Sequence, residues 1–188
     1  MNQDILSILV NEEQIDAITT RIAAEIDRDY RASVEAGKKL LLLCILKGSV
    51  VFMGDLMKKI TLPVEIDFMK VSSYGAGTAS SGRVNILLDL HRRDLPDVDI
   101  IIIEDIIDSG RTLSYLIDYL KLKGANSVKT CTLLDKPERR DPALVGFHAD
   151  YAGTTIPDEF VVGYGLDYNE QYRALPYVGI LSPAVYTK

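Results

Sequence analysis

The sequence predicts an α/β fold, a doubly wound and mostly parallel sheet flanked by helices. Apolar strand-like runs alternate with helical patterns along the chain, the order that builds such sheets. Two of these runs, Leu40 to Leu46 and Ile100 to Ile103, are unbroken by polar residues, as expected of strands covered on both faces. Polar residues recur where strands end, at Lys47, at Glu104, Asp105 and Asp108, at Lys136 and at Asp167. In open α/β sheets the ligand lies beyond the carboxyl ends of the strands, so this regularity points to one site along one edge.

The first helix is set by Ile15, Ile18, Ile22 and Ile26 at helical spacing. Asn11 with Gln14 makes a capping box, Glu12 and Glu13 suit the positive end of the helix dipole, and Gly37 is its stop. Lys47-Gly48-Ser49 ends the strand that follows, and a second helix runs to about Lys59. Pro63 marks a turn before a strand from Val64 to Val71. Residues 72–83 are small and polar with three glycines, too poor in apolar surface to bury, and read as a mobile loop. Val84 to Leu90 resumes strand character, and His91-Arg92-Arg93-Asp94 reads as a solvated turn.

After Ile100 to Ile103 come Glu104, Asp105 and Asp108, then Ser109-Gly110-Arg111-Thr112 and a helix with Leu113, Leu116, Ile117 and Leu120 on one face. Lys121, Lys123 and Gly124 close that helix. Further strands are expected at Val128 to Leu134, at Phe147 to Tyr151 and at Phe160 to Val162. There is no repeat and no linker, so residues 1–188 are expected to form one domain.

Composition narrows the function. A net charge of −6 argues against general affinity for nucleic acid or anionic membranes. No apolar run approaches the roughly 20 residues that span a bilayer. The opening Met-Asn-Gln-Asp lacks the basic and apolar regions of a signal peptide, and Cys44 and Cys131 lie in apolar runs as expected of buried free thiols. A cytoplasmic protein is expected.

Neither a Gly-x-x-x-x-Gly-Lys-Ser/Thr loop nor a Gly-x-Gly-x-x-Gly turn occurs, which weakens nucleotide hydrolysis and dinucleotide binding. Carboxylates beside a phosphate repel it unless a divalent cation or hydroxyl donors intervene. A ribose 5-phosphate resolves the conflict. Its hydroxyls donate to Glu104 and Asp105, while the loop amides, Ser109 and Thr112 donate to the phosphate.

Strand–Glu104-Asp105-x-x-Asp108-Ser109-Gly110-x-Thr112 resembles the phosphoribosyl-diphosphate motif of the type I phosphoribosyltransferases. Within them the chain is similar to the hypoxanthine-guanine branch. Leu46-Lys47-Gly48-Ser49, Ser73-Tyr74, Leu134-Asp135-Lys136 and the run Phe160 to Glu170 carry that likeness over nearly the whole length. The resemblance implies a small hood over the sheet and a flexible active-site loop, with Ser73 and Tyr74 at its base, that closes on substrate. It implies that Glu104 and Asp105 bind the ribose hydroxyls directly or through a metal, and that Asp108 to Thr112 hold the 5-phosphate. Asp108 would also serve as general base or acid at the purine N7, its plainer reading being a helix N-cap. The family often has Thr-Gly-Lys where this chain has Ser109-Gly110-Arg111; the serine keeps the hydroxyl.

By the same resemblance Lys47 and Gly48 form the diphosphate loop, often with a cis bond at the position of Leu46–Lys47, and Arg173 approaches the diphosphate. Asp167 would be the ligand of a second Mg²⁺. Phe160 would stack on the purine, Lys136 donate to its 6-oxo group, and backbone groups of Val161 and Asp167 complete the readout. The implied partners are phosphoribosyl diphosphate and 6-oxopurine bases, the cofactor Mg²⁺, and the assembly a homodimer or homotetramer. Two rival readings are a nucleotide-sensing regulator and a receiver-type signalling domain. The first predicts a basic nucleic-acid surface; the second leaves Ser109 to Thr112 and the Phe160 to Asn169 run unexplained.

Overall fold

The computed structural model describes residues 3–73 and 84–187. A six-stranded sheet is formed by β2 (Lys39–Ile45), β3 (Val64–Ser73), β4 (Val84–Leu88), β5 (Val98–Ile107), β6 (Ser127–Asp135) and β7 (Tyr151–Thr155), in the order β4-β3-β2-β5-β6-β7. All neighbours are parallel except β4, which runs antiparallel to β3 at one edge. The expected doubly wound, mostly parallel sheet is thus present.

Its two faces explain the unbroken apolar runs. Leu40, Leu42 and Cys44 of β2 face α1 (Glu12–Glu35) and α2 (Val50–Met57), packing with Ile22, Ile26, Phe52 and Leu56. Leu41, Leu43 and Ile45 face the other way, onto Leu113, Leu116 and Leu120 of α3 (Arg111–Leu122). Ile100 to Ile103 of β5 divide in the same manner, and all four are fully buried. Such a strand needs apolar side chains at every position.

α1 starts as expected: Gln14 N donates to Asn11 Oδ1 and Asn11 N to Gln14 Oε1, both at 2.9 Å. It ends before Gly37, whose φ of +90° reverses the chain. Cys44 and Cys131 are buried free thiols, and burial pushes the Cys44 thiol up to about 11.

A second, three-stranded antiparallel sheet joins the two ends of the described chain. β1 (Ile5–Val10) pairs with β9 (Val178–Leu181), and β9 with β8 (Val161–Val162). Its own small core is Ile5, Val162 and Leu181, and the short α4 (Pro183–Tyr186) follows β9. This sheet is the hood. Of its strands only β8 was expected, within Phe160 to Val162.

Two other expectations change. The strand foreseen at Phe147 to Tyr151 begins instead at Tyr151 and runs to Thr155. Phe147 N closes a turn on Leu144 O, and Asp150 is spent accepting from Thr130 N at 2.8 Å, so pairing with β6 starts only at Cys131↔Tyr151. Ser72 and Ser73, expected in the mobile loop, extend β3, whereas Tyr74 and residues 75–83 lie outside the described residues. No helix among the described residues is long and apolar enough to cross a membrane.

At the opposite end of the sheet from the strand-end polar residues, buried Asp99 ties three segments together. It accepts from Ser33 Oγ at 2.5 Å, Asn126 Nδ2 at 2.6 Å and Ser127 Oγ at 2.5 Å. Burial opposes its ionisation, but these bonds prevail and hold the carboxyl below its ordinary 3.8. A carboxyl lowered in the folded state stabilises above its unfolded pKa and loses that contribution as pH falls through the folded value. Asp99→Ala is expected to cost about 1–3 kcal/mol at pH 7. Denaturant melts should show that cost shrinking as the pH is taken below 4; an undiminished gap would contradict the assignment.

Candidate active site

The carboxyl ends of β2, β5 and β6 lie side by side beneath the hood. β5 continues through both acids to Ile107, with Glu104↔Thr132, Ile106↔Leu134 and Ile107↔Asp135 in register, so Glu104 and Asp105 project from the strand itself rather than from a loop. Glu104 Oε2 is buried and has no hydrogen-bond partner. Burial first, then the charge of Asp105, pushes the Glu104 carboxyl well above its ordinary value. Burial also raises Asp105, against the pull of the Ile106 amide, which donates to Oδ1 at 2.7 Å, and of Arg173. Two adjacent desolvated carboxyls with an orphan oxygen await a cation or hydroxyl donors.

The loop after β2 meets this pair. The Leu46–Lys47 peptide is cis, and Leu46 N donates to Met69 O at 2.8 Å. A Cβ on Gly48 would lie 1.5 Å from Asp105 Oδ2, so only glycine allows the backbone to approach the carboxylate. Gly165, at φ +99°, seats on the other side, where a Cβ would come within 2.0 Å of Gly48 O. Asp105, Gly48 and Gly165 are therefore stacked, which brings the Gly163–Asp167 turn to the acids. Buried Tyr164 holds that turn from behind, donating through its hydroxyl to Asp55 Oδ2 at 2.6 Å.

Past β5, Asp108 to Gly110 lead into α3. The N-cap is Gly110 (φ +82°), with no side-chain cap, so Asp108 is not the helix cap. Its exposed carboxylate instead faces Arg139 Nε at 3.4 Å. Arg111 N donates to Ser109 Oγ at 3.4 Å, so the serine hydroxyl lies at the start of α3, the end of a helix that favours an anion. A cleft of about 210 Å³ is bounded by Glu104, Ile106, Asp108, Gly110 and Thr112. A larger cavity, about 460 Å³, opens between α1, α2 and residues 173–176; it touches Tyr164 and Arg173 but neither Glu104 nor Asp105.

At the end of β6, Lys136 is buried and donates to Glu159 O at 2.6 Å, beside Phe160. Phe160 remains 38% exposed, whereas Val161 is buried. On the hood side Asp167 Oδ2 accepts from Glu170 N at 2.8 Å, and Oδ1 faces Arg173 Nη2 at 2.9 Å. Lys47 Nζ pairs with Glu170 Oε1 at 2.9 Å. The two cations expected at a diphosphate are thus both held by carboxylates of the 167–170 turn.

Ser73 ends β3, and Tyr74 lies outside the described residues. The other expected residues lie along this edge: Lys47 and Gly48, Glu104, Asp105, Asp108 to Thr112, Lys136, Phe160, Val161, Asp167 and Arg173. Among the described residues no group of three or more His, Cys, Asp or Glu forms a ready-made metal cage. The acid pair fits a cation that draws its remaining ligands from substrate and water, as Mg²⁺ does.

Sequence reasoning missed Ile106, Glu170 and above all Arg140. The Arg140 guanidinium donates to Asp108 O at 2.6 Å, to Ile107 O at 3.4 Å and, through Nε, to Phe147 O at 3.1 Å, and it pairs with Asp135 Oδ1. It fixes the start of the 108–110 loop to the end of β6. In sequence it is one of two adjacent arginines after a proline, with no signal that it is the buried one.

One sheet edge thus carries the paired acids, the start of α3 and the buried Lys136. The family profile described as "Phosphoribosyl transferase domain" matches residues 7–169, and the chain belongs to that family. It is 51% identical over 188 residues to the "Hypoxanthine-guanine phosphoribosyltransferase" of Streptococcus mutans, covering 100% of this chain and 99% of that protein. It is 49% identical to the "Bifunctional protein TilS/HprT" of Listeria innocua; there the match takes in all of this chain but only 28% of the relative's length. A crystal structure of a hypoxanthine phosphoribosyltransferase from Staphylococcus aureus superposes with a TM-score of 0.90 at 46% identity, covering 100% of this chain and 97% of that one.

The Arg140–Asp135 pair is almost completely enclosed, its side chains 3% and 9% exposed. Removing one partner leaves a buried charge uncompensated, so Arg140→Met is expected to cost about 3–5 kcal/mol. Asp135→Leu combined with Arg140→Met should recover part of that loss in a denaturant melt; a double variant as unstable as the sum of the singles would contradict the pairing.

Proposed function

We propose that this chain is a purine-salvage enzyme, a pentosyltransferase moving the 5-phosphoribosyl group from phosphoribosyl diphosphate to hypoxanthine and guanine. The products are IMP or GMP and diphosphate. The observation that carries the reading is the convergence, at one sheet edge, of the Glu104–Asp105 pair with its orphan Glu104 Oε2, the 108–112 loop and the buried Lys136.

Glu104 and Asp105 hold the ribose 2- and 3-hydroxyls, and the α3 amides with Ser109, Gly110, Arg111 and Thr112 hold the 5-phosphate. Glu104 and Asp105 would hold one Mg²⁺ and Asp167 a second, and when bound the ions would supply positive charge to the leaving diphosphate. Lys47, the Gly48 amide and Arg173 orient the leaving diphosphate, the two cations first exchanging Glu170 and Asp167 for it. A purine ring nitrogen attacks C1 of the ribose as the C1–O bond to diphosphate breaks, and Asp108 exchanges a proton at N7. The transition state has oxocarbenium character, and no protein nucleophile takes part.

Base choice follows from Lys136. Its ammonium has donors only, one of them given to Glu159 O, so it favours the 6-oxo acceptor of hypoxanthine and guanine. Adenine presents an amino donor there. Leaving buried donors face to face costs roughly 1–3 kcal/mol, about one to two decades of discrimination. Phe160 stacks on the ring, and backbone groups of Val161 and Asp167 read its far edge. Residues 1–188 act as one domain, in the cytoplasm, within a homo-oligomer.

The test is diphosphate release from phosphoribosyl diphosphate and Mg²⁺ with each of hypoxanthine, guanine, xanthine and adenine. Turnover with the first two, abolished by EDTA and lowered about a hundredfold or more by Asp108→Asn, is the expected result. Turnover mainly with adenine would overturn the role of Lys136. Tight nucleotide binding without turnover of any base would identify a sensor instead.

A further inference from the structure

α4 brings to the hood a side chain that the reaction above does not employ. The ring of Tyr186 lies nearly parallel to that of Phe160, with centroids 5.0 Å apart and planes at 27°. Tyr168 meets the same ring edge-on, at 5.7 Å and 87°, and meets Tyr186 at 6.3 Å and 61°. Tyr186 and Tyr168 both pack against the hood core of Ile5, Val162 and Leu181. Val161 belongs to the other core, with the sheet and its helices. Lys136 also reaches Glu159 from the sheet end. Phe160 is therefore backed from the hood side and keeps part of its ring exposed.

We infer that Tyr186 is a positioning residue for the base. It fixes the plane of Phe160, so that a 6-oxopurine completes a three-ring stack with Phe160 in the middle. The inference rests on the proposed function. A phenyl ring standing alone just before a two-residue strand has freedom about χ1 and χ2. A parallel neighbour on one side and an edge-on neighbour on another remove that freedom before the base arrives, and a stack formed on a preset ring loses less entropy. The effect belongs to the base end of the site. The acids, the 108–112 loop and Lys47 lie on other elements, so the phosphoribosyl end should not respond.

The experiment compares Tyr186→Leu and Tyr186→Phe with the unsubstituted protein, measuring KM for hypoxanthine and guanine, KM for phosphoribosyl diphosphate, kcat and Tm. In Tyr186→Leu the base KM is expected to rise about two- to tenfold, the range commanded by an aromatic pair of this geometry. KM for phosphoribosyl diphosphate and Tm should hold, and Tyr186→Phe, which keeps the ring, should restore the base KM. An unchanged base KM would overturn the inference. So would a lowered one, since it would put Tyr186 over the face the base uses. A parallel rise of both KM values with a fall in Tm would reduce Tyr186 to a structural part of the hood. Absence of turnover in the unsubstituted protein would refute the proposed function itself, and the inference with it.

Discussion

The arrangement of this protein turns on two neighbouring carboxyls kept out of water. Glu104 and Asp105 follow the fully buried Ile100 to Ile103, where the cost of ionisation is high, and among the described residues no guanidinium or ammonium is bonded to either. A core built for stability alone would place Ile or Val there, as it does at the four preceding positions. The surrounding structure meets the pair with close approach of backbone and with the charge of Arg173 acting on Asp105 at a distance, not with a bonded counter-charge. Gly48 lies against Asp105 and Gly165 against Gly48, so the site is closed around the acids without adding a side chain that would satisfy them. The uncompensated charge is what a metal-bound or hydroxyl-rich ligand would answer, and the fold supplies the stability elsewhere, through cores on both faces of the sheet.

The hood solves a geometrical problem. A parallel sheet presents strand ends on one edge and leaves that edge open to solvent. Pairing β1 with β9 draws the two ends of the described chain together over this edge, and β8, between the site and the hood core, takes part in both layers. Val161 turns to the sheet side and Val162 to the hood side, as alternation along a strand requires. Phe160 is thereby set at the boundary between the layers, which is where a planar ring could enter.

The central sheet was legible because each of its core strands carries a local signature, an apolar run with polar residues at its end. The capping box of α1 and the glycine at its close are equally local. β1 and β9 were not legible. Each is a short apolar run that gains its meaning only from the other, with Ile5 opposite Leu181, and no nearby turn announces the pairing. The site was legible where chemistry is concentrated in a few adjacent residues, as at Glu104 to Thr112. It was illegible where a residue acts through burial: Arg139 and Arg140 are alike on paper, and only tertiary structure makes one a surface cation and the other a brace. The cap reading of Asp108 failed for a related reason. Gly110 reaches a positive φ that lets the helix start two residues later, and the freed carboxylate turns outward.

These two classes of ion pair have different consequences for a working site. Arg140 and Asp135 are enclosed, and backbone carbonyls take up the remaining donors, so the brace is set once on folding and does not exchange. Lys47 and Glu170 are 49% and 66% exposed, and solvent competes for every bond they make. Exposed pairs of this kind contribute little to stability. Breaking the Lys47–Glu170 pair therefore costs little, whereas Arg173 is also tied to Gly165 O at 2.7 Å. Asp167 and Arg173, 29% and 26% exposed, form a half-buried pair between these two extremes. The polar network is therefore rigid where Arg140 braces the 108–110 loop and loosens stepwise through Arg173 to Lys47, following burial.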